Sequence, residues 1–172
     1  MATQPLKQTP ISAPASSPAL GWRQTHLGRL LGHALRRFDA RVLTLMAHNM
    51  DVPLALSNLA ARGQVTAAHV HITRHLPLEG ARLSELAQSA GVTKQAMGDL
   101  VTQCEAWGLV TRMLDTVDKR ARKVAFTADG LLWVAAFETA VTQAETEFKA
   151  AVGTDVALVV NLGLEAYGSG YL

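Results

Sequence analysis

Apolar residues recur at three- and four-residue steps through residues 22–49, where Leu27, Leu31, Ala34, Phe38, Val42 and Leu45 share one face and no proline interrupts them. That spacing predicts one long amphipathic helix. Asp51 and Pro53 punctuate it, and two shorter helical stretches follow over 54–62 and 66–75, parted by Gly63 and stopped by Pro77 and Gly80. Ser84 is placed to cap a short helix containing Leu86, Ala87 and Ala90, which Gly91 breaks. Thr93 then caps a second helix reaching about Trp107, with Met97, Leu100, Val101 and Cys104 on one face and Gly108 at its end. Two helices joined by a short turn containing glycine have the spacing of a helix-turn-helix. Residues 109–114 and 122–127 are β-competent runs on either side of a polar tip, 115–121, and predict a hairpin. Thr127 caps a further long helix, in which Val134, Phe137, Val141, Ala144, Phe148 and Ala151 alternate in steps of three and four. Asp155 opens a last helix over about 156–166, ahead of a Gly-Ser-Gly tail. The expected fold class is mainly α with a small β wing.

Composition sharpens this picture in three places. At 172 residues and 49 % hydrophobic content, the chain is large enough for one core without a metal or disulfide to hold it. Residues 1–20 hold Pro5, Pro10, Pro14 and Pro18 among Ser, Thr and Gln, and are expected to form a mobile arm. They also lack the basic start and apolar centre of a signal peptide. The single cysteine, Cys104, excludes an intramolecular disulfide and points to a reducing compartment. No apolar run reaches the roughly 18 residues of a membrane span. The expectation is a cytoplasmic protein with no membrane partner.

The net charge of +2 conceals a strong asymmetry. Residues 1–50 carry six basic side chains (Lys7, Arg23, Arg29, Arg36, Arg37, Arg41) against Asp39 alone. Residues 109–127 hold Arg112, Lys119, Arg120, Arg122 and Lys123 against Asp115 and Asp118. Beyond Thr127 only Lys149 is basic, against six carboxylates. Such a distribution suits a protein with one face for a polyanion and another that avoids it. A charge run that is simply a solvated face is the plainer alternative.

The segment 81–130, ARLSELAQSAGVTKQAMGDLVTQCEAWGLVTRMLDTVDKRARKVAFTADG, resembles the DNA-binding lobe of the MarR family (multiple antibiotic resistance regulators). The markers are LSELA, GVTKQA leading the recognition helix, WGLVTR entering the wing, DKRARKVAFT returning from it, and TADG starting the next helix. A looser likeness extends over 27–152. The resemblance implies a winged-helix homodimer that binds palindromic double-stranded operators, usually represses, and often releases DNA when a small aromatic or anionic effector binds. The implied organisation is an N-terminal arm (1–20), dimerisation helices (21–62), a winged helix-turn-helix lobe (63–127), C-terminal dimerisation helices (128–167) and a tail (168–172). The apolar faces of the first and last helices favour dimerisation independently, since together they exceed what one lobe covers.

Candidate DNA contacts follow from the chemistry of the duplex, in which Lys and Arg meet phosphates while other side chains read base edges. Thr93, Lys94 and Gln95 open the recognition helix, and Gln95 has the amide to pair with an adenine edge. Gly98 and Asp99 follow, where the family more often has hydroxyl and basic residues. Asp99 would have to accept from a cytosine amine or pair with an arginine. Arg112, Lys119, Arg122 and Lys123 are candidate wing cations, and Arg120 is placed to enter a minor groove. The resemblance assigns Asp118 to orienting Arg120.

Other side chains invite sharper readings. Some family members sense oxidants through a cysteine, but Cys104 stands where a core leucine would, which reads as packing. His71 and His75 are one helical turn apart near His69, yet two imidazoles are half of a tetrahedral site, so no metal and no cofactor are expected. Trp22, Trp107 and Trp133 read as packing anchors ahead of an aromatic-ligand pocket. If an effector pocket exists, helix order suggests Phe38, Val42, Met46, His69 and Trp107 as its walls. No Gly-rich phosphate loop, nucleophile elbow or paired acid and base supports an enzyme. The alternative to a DNA-binding regulator is a winged-helix interaction module with weak or no DNA binding, suggested by Gly98 and Asp99.

Overall fold

In the computed structural model, residues 21–115 and 121–169 are described. The chain divides into two compact units, Met1–Ala34 and Leu35–Leu172. The described part of the first unit begins with α1, Trp22–Thr25, after which His26 adopts an extended backbone and α2 starts. The single helix expected over 22–49 is therefore two, α1 and α2 (Leu27–Ala47). Trp22, Leu27 and Leu30 are exposed in this unit.

The second unit carries the rest of α2, then α3 (Leu54–Ala61), α4 (Ala67–His75), β1 (Ala81–Arg82), α5 (Leu83–Ser89) and α6 (Lys94–Ala106). The hairpin strands β2 (Val110–Leu114) and β3 (Arg122–Phe126) follow, and then α7 (Ala128–Val152) and α8 (Thr154–Gly168). The three strands form one antiparallel sheet in the order β1-β3-β2, with Val124 opposite both Ala81 and Arg112. β1 escaped the sequence because two residues show no alternation; only pairing with β3 defines it. Ser84 is not the cap of α5. Arg82 holds that position, and its backbone N–H donates to the Glu85 carboxylate at 2.9 Å.

The core runs from Val42 and Met46 on α2 through Leu56, Val70 and Ile72 to Leu86, Met97, Val101, Cys104 and Trp133. Burying it is the main force holding the lobe together. On α7 the buried stripe is Trp133, Ala136, Phe137, Ala140 and Ala144, whereas Val134, Val141 and Phe148 are only half-buried and Ala151 is exposed. The stripe expected from the sequence is thus rotated, because alanines can pack closely on a face that large side chains do not mark. Gly130 explains part of this seating: a Cβ there would stand 2.0 Å from the Leu109 carbonyl oxygen. The α7 N-terminus approaches the β2 entry so closely that only glycine fits. Thr127 caps it, accepting from the Gly130 N–H at 2.9 Å.

Ion pairs tie the elements together. Buried Asp39 on α2 pairs with Arg74 on α4. Arg41 forks onto Glu147 of α7 through two bonds of 2.7 Å, which hold that carboxyl at about 2, helped by Gln143. No single helix among the described residues is long and apolar enough to cross a membrane; α7 and α8 reach that mark only together and are bent by 119°.

Candidate nucleic-acid interface

The inward face of α6 is fixed by Met97, Val101 and Cys104, all fully buried. The opposite face must therefore meet solvent. Gly91, at φ +65°, makes the turn from α5, and Thr93 Oγ1 accepts from the Ala96 N–H at 3.2 Å to cap α6. Thr93, Lys94, Gln95 and Asp99 are exposed along the first turns. A hydroxyl, an ammonium and an amide thus share the positive end of a helix, a combination suited to phosphate and base edges. Gly98 is half-buried on the side toward α5, where a Cβ would meet Leu83 Cδ2 at 3.7 Å, an ordinary contact.

The wing flanks this helix. Arg122 is exposed at the start of β3, opposite Leu114, and Lys123 stands opposite both Arg82 and Met113. Asp115, expected in a polar tip, is buried: Arg82 reaches its Oδ2 at 3.1 Å, and its N–H donates to the Ala121 carbonyl at 3.0 Å. Arg112 is also unlike the expectation. It is half-buried and ion-paired with Glu105 of α6. Asp118, Lys119 and Arg120 lie outside the described residues, as does the arm expected over 1–20.

Behind α6 is a small apolar cavity of about 10 Å³, lined by Leu56, Val65, His69, Thr73, Trp107, Leu109 and Trp133. That is room for roughly one water molecule. His69 is buried, with its ring centroid 4.6 Å from that of Trp107. Its Nδ1 accepts from the Thr66 N–H at 3.1 Å, which leaves Nε2 to donate to Gln103 Oε1 at 2.7 Å. Trp133 Nε1–H donates to Thr73 Oγ1 at 3.1 Å. Of the proposed pocket walls, His69 and Trp107 come together here; Phe38, Val42 and Met46 do not line the cavity.

No protein-family model and no curated protein matches the sequence. Solved structures do match the fold. The transcriptional repressor CouR bound to a 23-mer DNA duplex is similar at a TM-score of 0.60 and 22 % identity, over 86 % of this chain and 96 % of that one. CouR from Rhodococcus jostii RHA1 bound to p-coumaroyl-CoA is similar at 0.62 and 18 %, over 84 % and 92 %. A transcriptional regulator of the MarR family from Rhodococcus sp. RHA1 is similar at 0.56 and 19 %, over 83 % and 95 %. The chain has the MarR-type winged-helix fold.

In this MarR-type fold the remaining candidates fall into place. Burial pushes the Cys104 thiol up to about 12, so almost none of it is thiolate near neutral pH. His71 and His75 stack at 5.8 Å between ring centroids, and His71 Nδ1 is buried without a hydrogen-bond partner among the described residues. Desolvation, then the nearby His71 and Arg74, lower the His75 pKa. Trp107 and Trp133 both line the cavity, while Trp22 is exposed beside His26. The sequence reading missed Thr102 and Glu105, whose significance appears only once β2 is folded against α6.

Proposed function

We propose that the chain is a sequence-specific DNA-binding transcription regulator of the MarR type, a homodimeric repressor released from a palindromic operator by a small aromatic or anionic ligand. The observation that carries this reading is the exposed start of α6, where Thr93, Lys94 and Gln95 project from a helix whose other face is locked into the core. Two such helices would enter successive major grooves about 34 Å apart. Arg122 would meet the adjacent minor groove with Arg120, which Asp118 orients, while Lys119 and Lys123 serve phosphates. The CouR structure with a DNA duplex supports this use of the fold.

Dimerisation is supported by α8, on which Ala157 is the one buried residue while Val156, Leu158, Val159, Leu162, Leu164 and Tyr167 are exposed. So much apolar surface on one helix calls for a second copy. For the effector, the cavity between His69, Trp107 and Trp133 offers an aromatic lining that a ligand would have to open; the p-coumaroyl-CoA complex of CouR supports a ligand of that class. The protein would work in the cytoplasm as a binding protein rather than an enzyme.

Fluorescence titration of duplexes that the purified chain selects from a random-sequence pool tests the reading. Binding should fall steeply with salt, and Arg120→Ala should reduce the slope by about one unit for each of the two contacts the dimer loses. A chain that selects no duplex would sink it. That outcome would favour the interaction-module reading, for which exposed Asp99, an acid on the surface meant for phosphate, is the specific support.

A further inference from the structure

We infer that Arg112 is a positioning residue, which sets the angle between recognition helix and wing, and is not itself a DNA contact. Resting on the DNA-binding reading, this gives one of the wing cations a different task. A single β2 residue grips three successive turns of α6. The Arg112 N–H donates to Glu105 Oε1 at 3.1 Å, and its guanidinium donates to the other oxygen of the same carboxylate. Nη2 donates to Thr102 Oγ1 at 3.0 Å and reaches the Gly98 carbonyl at 3.5 Å. The Thr102 hydroxyl in turn donates to that carbonyl at 2.8 Å. On its other side Arg112 is in register with buried Val124, the central strand position that also pairs with Ala81. The clamp therefore runs from the middle of the sheet to the helix face next to Thr93, Lys94 and Gln95.

Two physical points favour a clamp over a phosphate contact. The guanidinium is already neutralised by Glu105 and half-buried, so moving it to a phosphate would leave the carboxylate facing a polyanion. Its planar fork also matches a carboxylate plus a hydroxyl on one helix, a task that the compact ammonium of lysine does not perform.

The test uses the full chain and the variants Arg112→Ala, Arg112→Lys, Glu105→Gln and Glu105→Ala. Without DNA, a double-mutant cycle in urea should show Arg112→Ala and Glu105→Ala to be non-additive; additive losses overturn the clamp. With the duplex selected by the unmodified chain, Arg112→Ala and Glu105→Gln should each weaken binding about tenfold, the size expected of a coupled pair. Both should leave the salt slope unchanged, and Arg112→Lys should not rescue. If Arg112 instead meets phosphate, its loss from both subunits lowers the slope by about 1.8, lysine rescues, and Glu105→Gln strengthens binding by removing an acid; any of these overturns the inference. Failure to select any duplex overturns the DNA-binding reading and with it the use of the clamp, while the urea cycle still reports separately whether the clamp exists.

Discussion

On α6 the apolar side chains Met97, Val101 and Cys104 are fully buried and its polar ones are capped, paired or presented to solvent, whereas on α8 Ala157 is the sole buried residue of a helix rich in Val and Leu. The two helices have similar lengths, 13 and 15 residues, yet opposite economies of surface. The first is completed by its own chain, through α5, the hairpin and the Arg112 clamp. The second leaves most of its apolar side chains exposed. In the homodimer proposed above, a rigid α6 and a base completed by two copies of α8 would hold two recognition helices at a fixed separation.

The contrast is broken most sharply by Trp133→Ala, which removes the largest fully buried side chain and its bond to Thr73. The expected loss is about 3–5 kcal/mol by urea denaturation; a loss under about 1 kcal/mol would mean that the lobe is not held by this core. Its counterpart is Leu162→Glu on α8, where the side chain is 57 % exposed. Sedimentation should then show monomers with the lobe still folded by circular dichroism, and an unchanged dimer would remove α8 from the interface. Gly130→Ala places a methyl against the Leu109 carbonyl and should cost about 1–3 kcal/mol. Gly98→Ala acts in the opposite direction. Its Cβ has room beside Leu83, so helix propensity should raise stability by about 1 kcal/mol, and a lowered melting temperature would contradict the packing described.

The smallest effect is the pH dependence at His75. Its imidazole is held below the ordinary value by burial, then by His71 and Arg74, so the unfolded chain binds that proton more readily. Stability should fall as pH drops below about 6.5, and His75→Gln should flatten that decline. An identical pH profile in the variant would show that the decline does not arise at His75.

Much of the helical lobe is legible because its signals are local. Thr93 and Thr127 cap helices within three residues of themselves, Gly91 and Gly108 supply the positive φ that ends α5 and α6, and Val110–Leu114 pairs antiparallel with Arg122–Phe126 as a hairpin should. The misreadings concern contacts distant in sequence. The break at His26 is the local exception: its backbone is extended, and its Nδ1 accepts from the Arg29 N–H at 3.2 Å where α2 begins. Of the expected α7 stripe Phe137 and Ala144 are buried, while the structure adds Trp133, Ala136 and Ala140 to that face in place of Val134, Val141, Phe148 and Ala151.

The site divides in the same way. The sequence alone determined the helix-turn-helix, the exposed residues at the start of α6 and the core place of Cys104, since each depends on residues within one or two turns of one another. Tertiary structure decided that Arg112 binds Glu105 across the Trp107–Gly108 turn, that Asp39 and Asp115 are buried with arginines, and that Gly130 must be glycine. Charge in a sequence has a sign but no partner. The energy of an arginine depends on which carboxylate the fold brings within hydrogen-bonding distance and how far water is excluded, and those are properties of the packed chain.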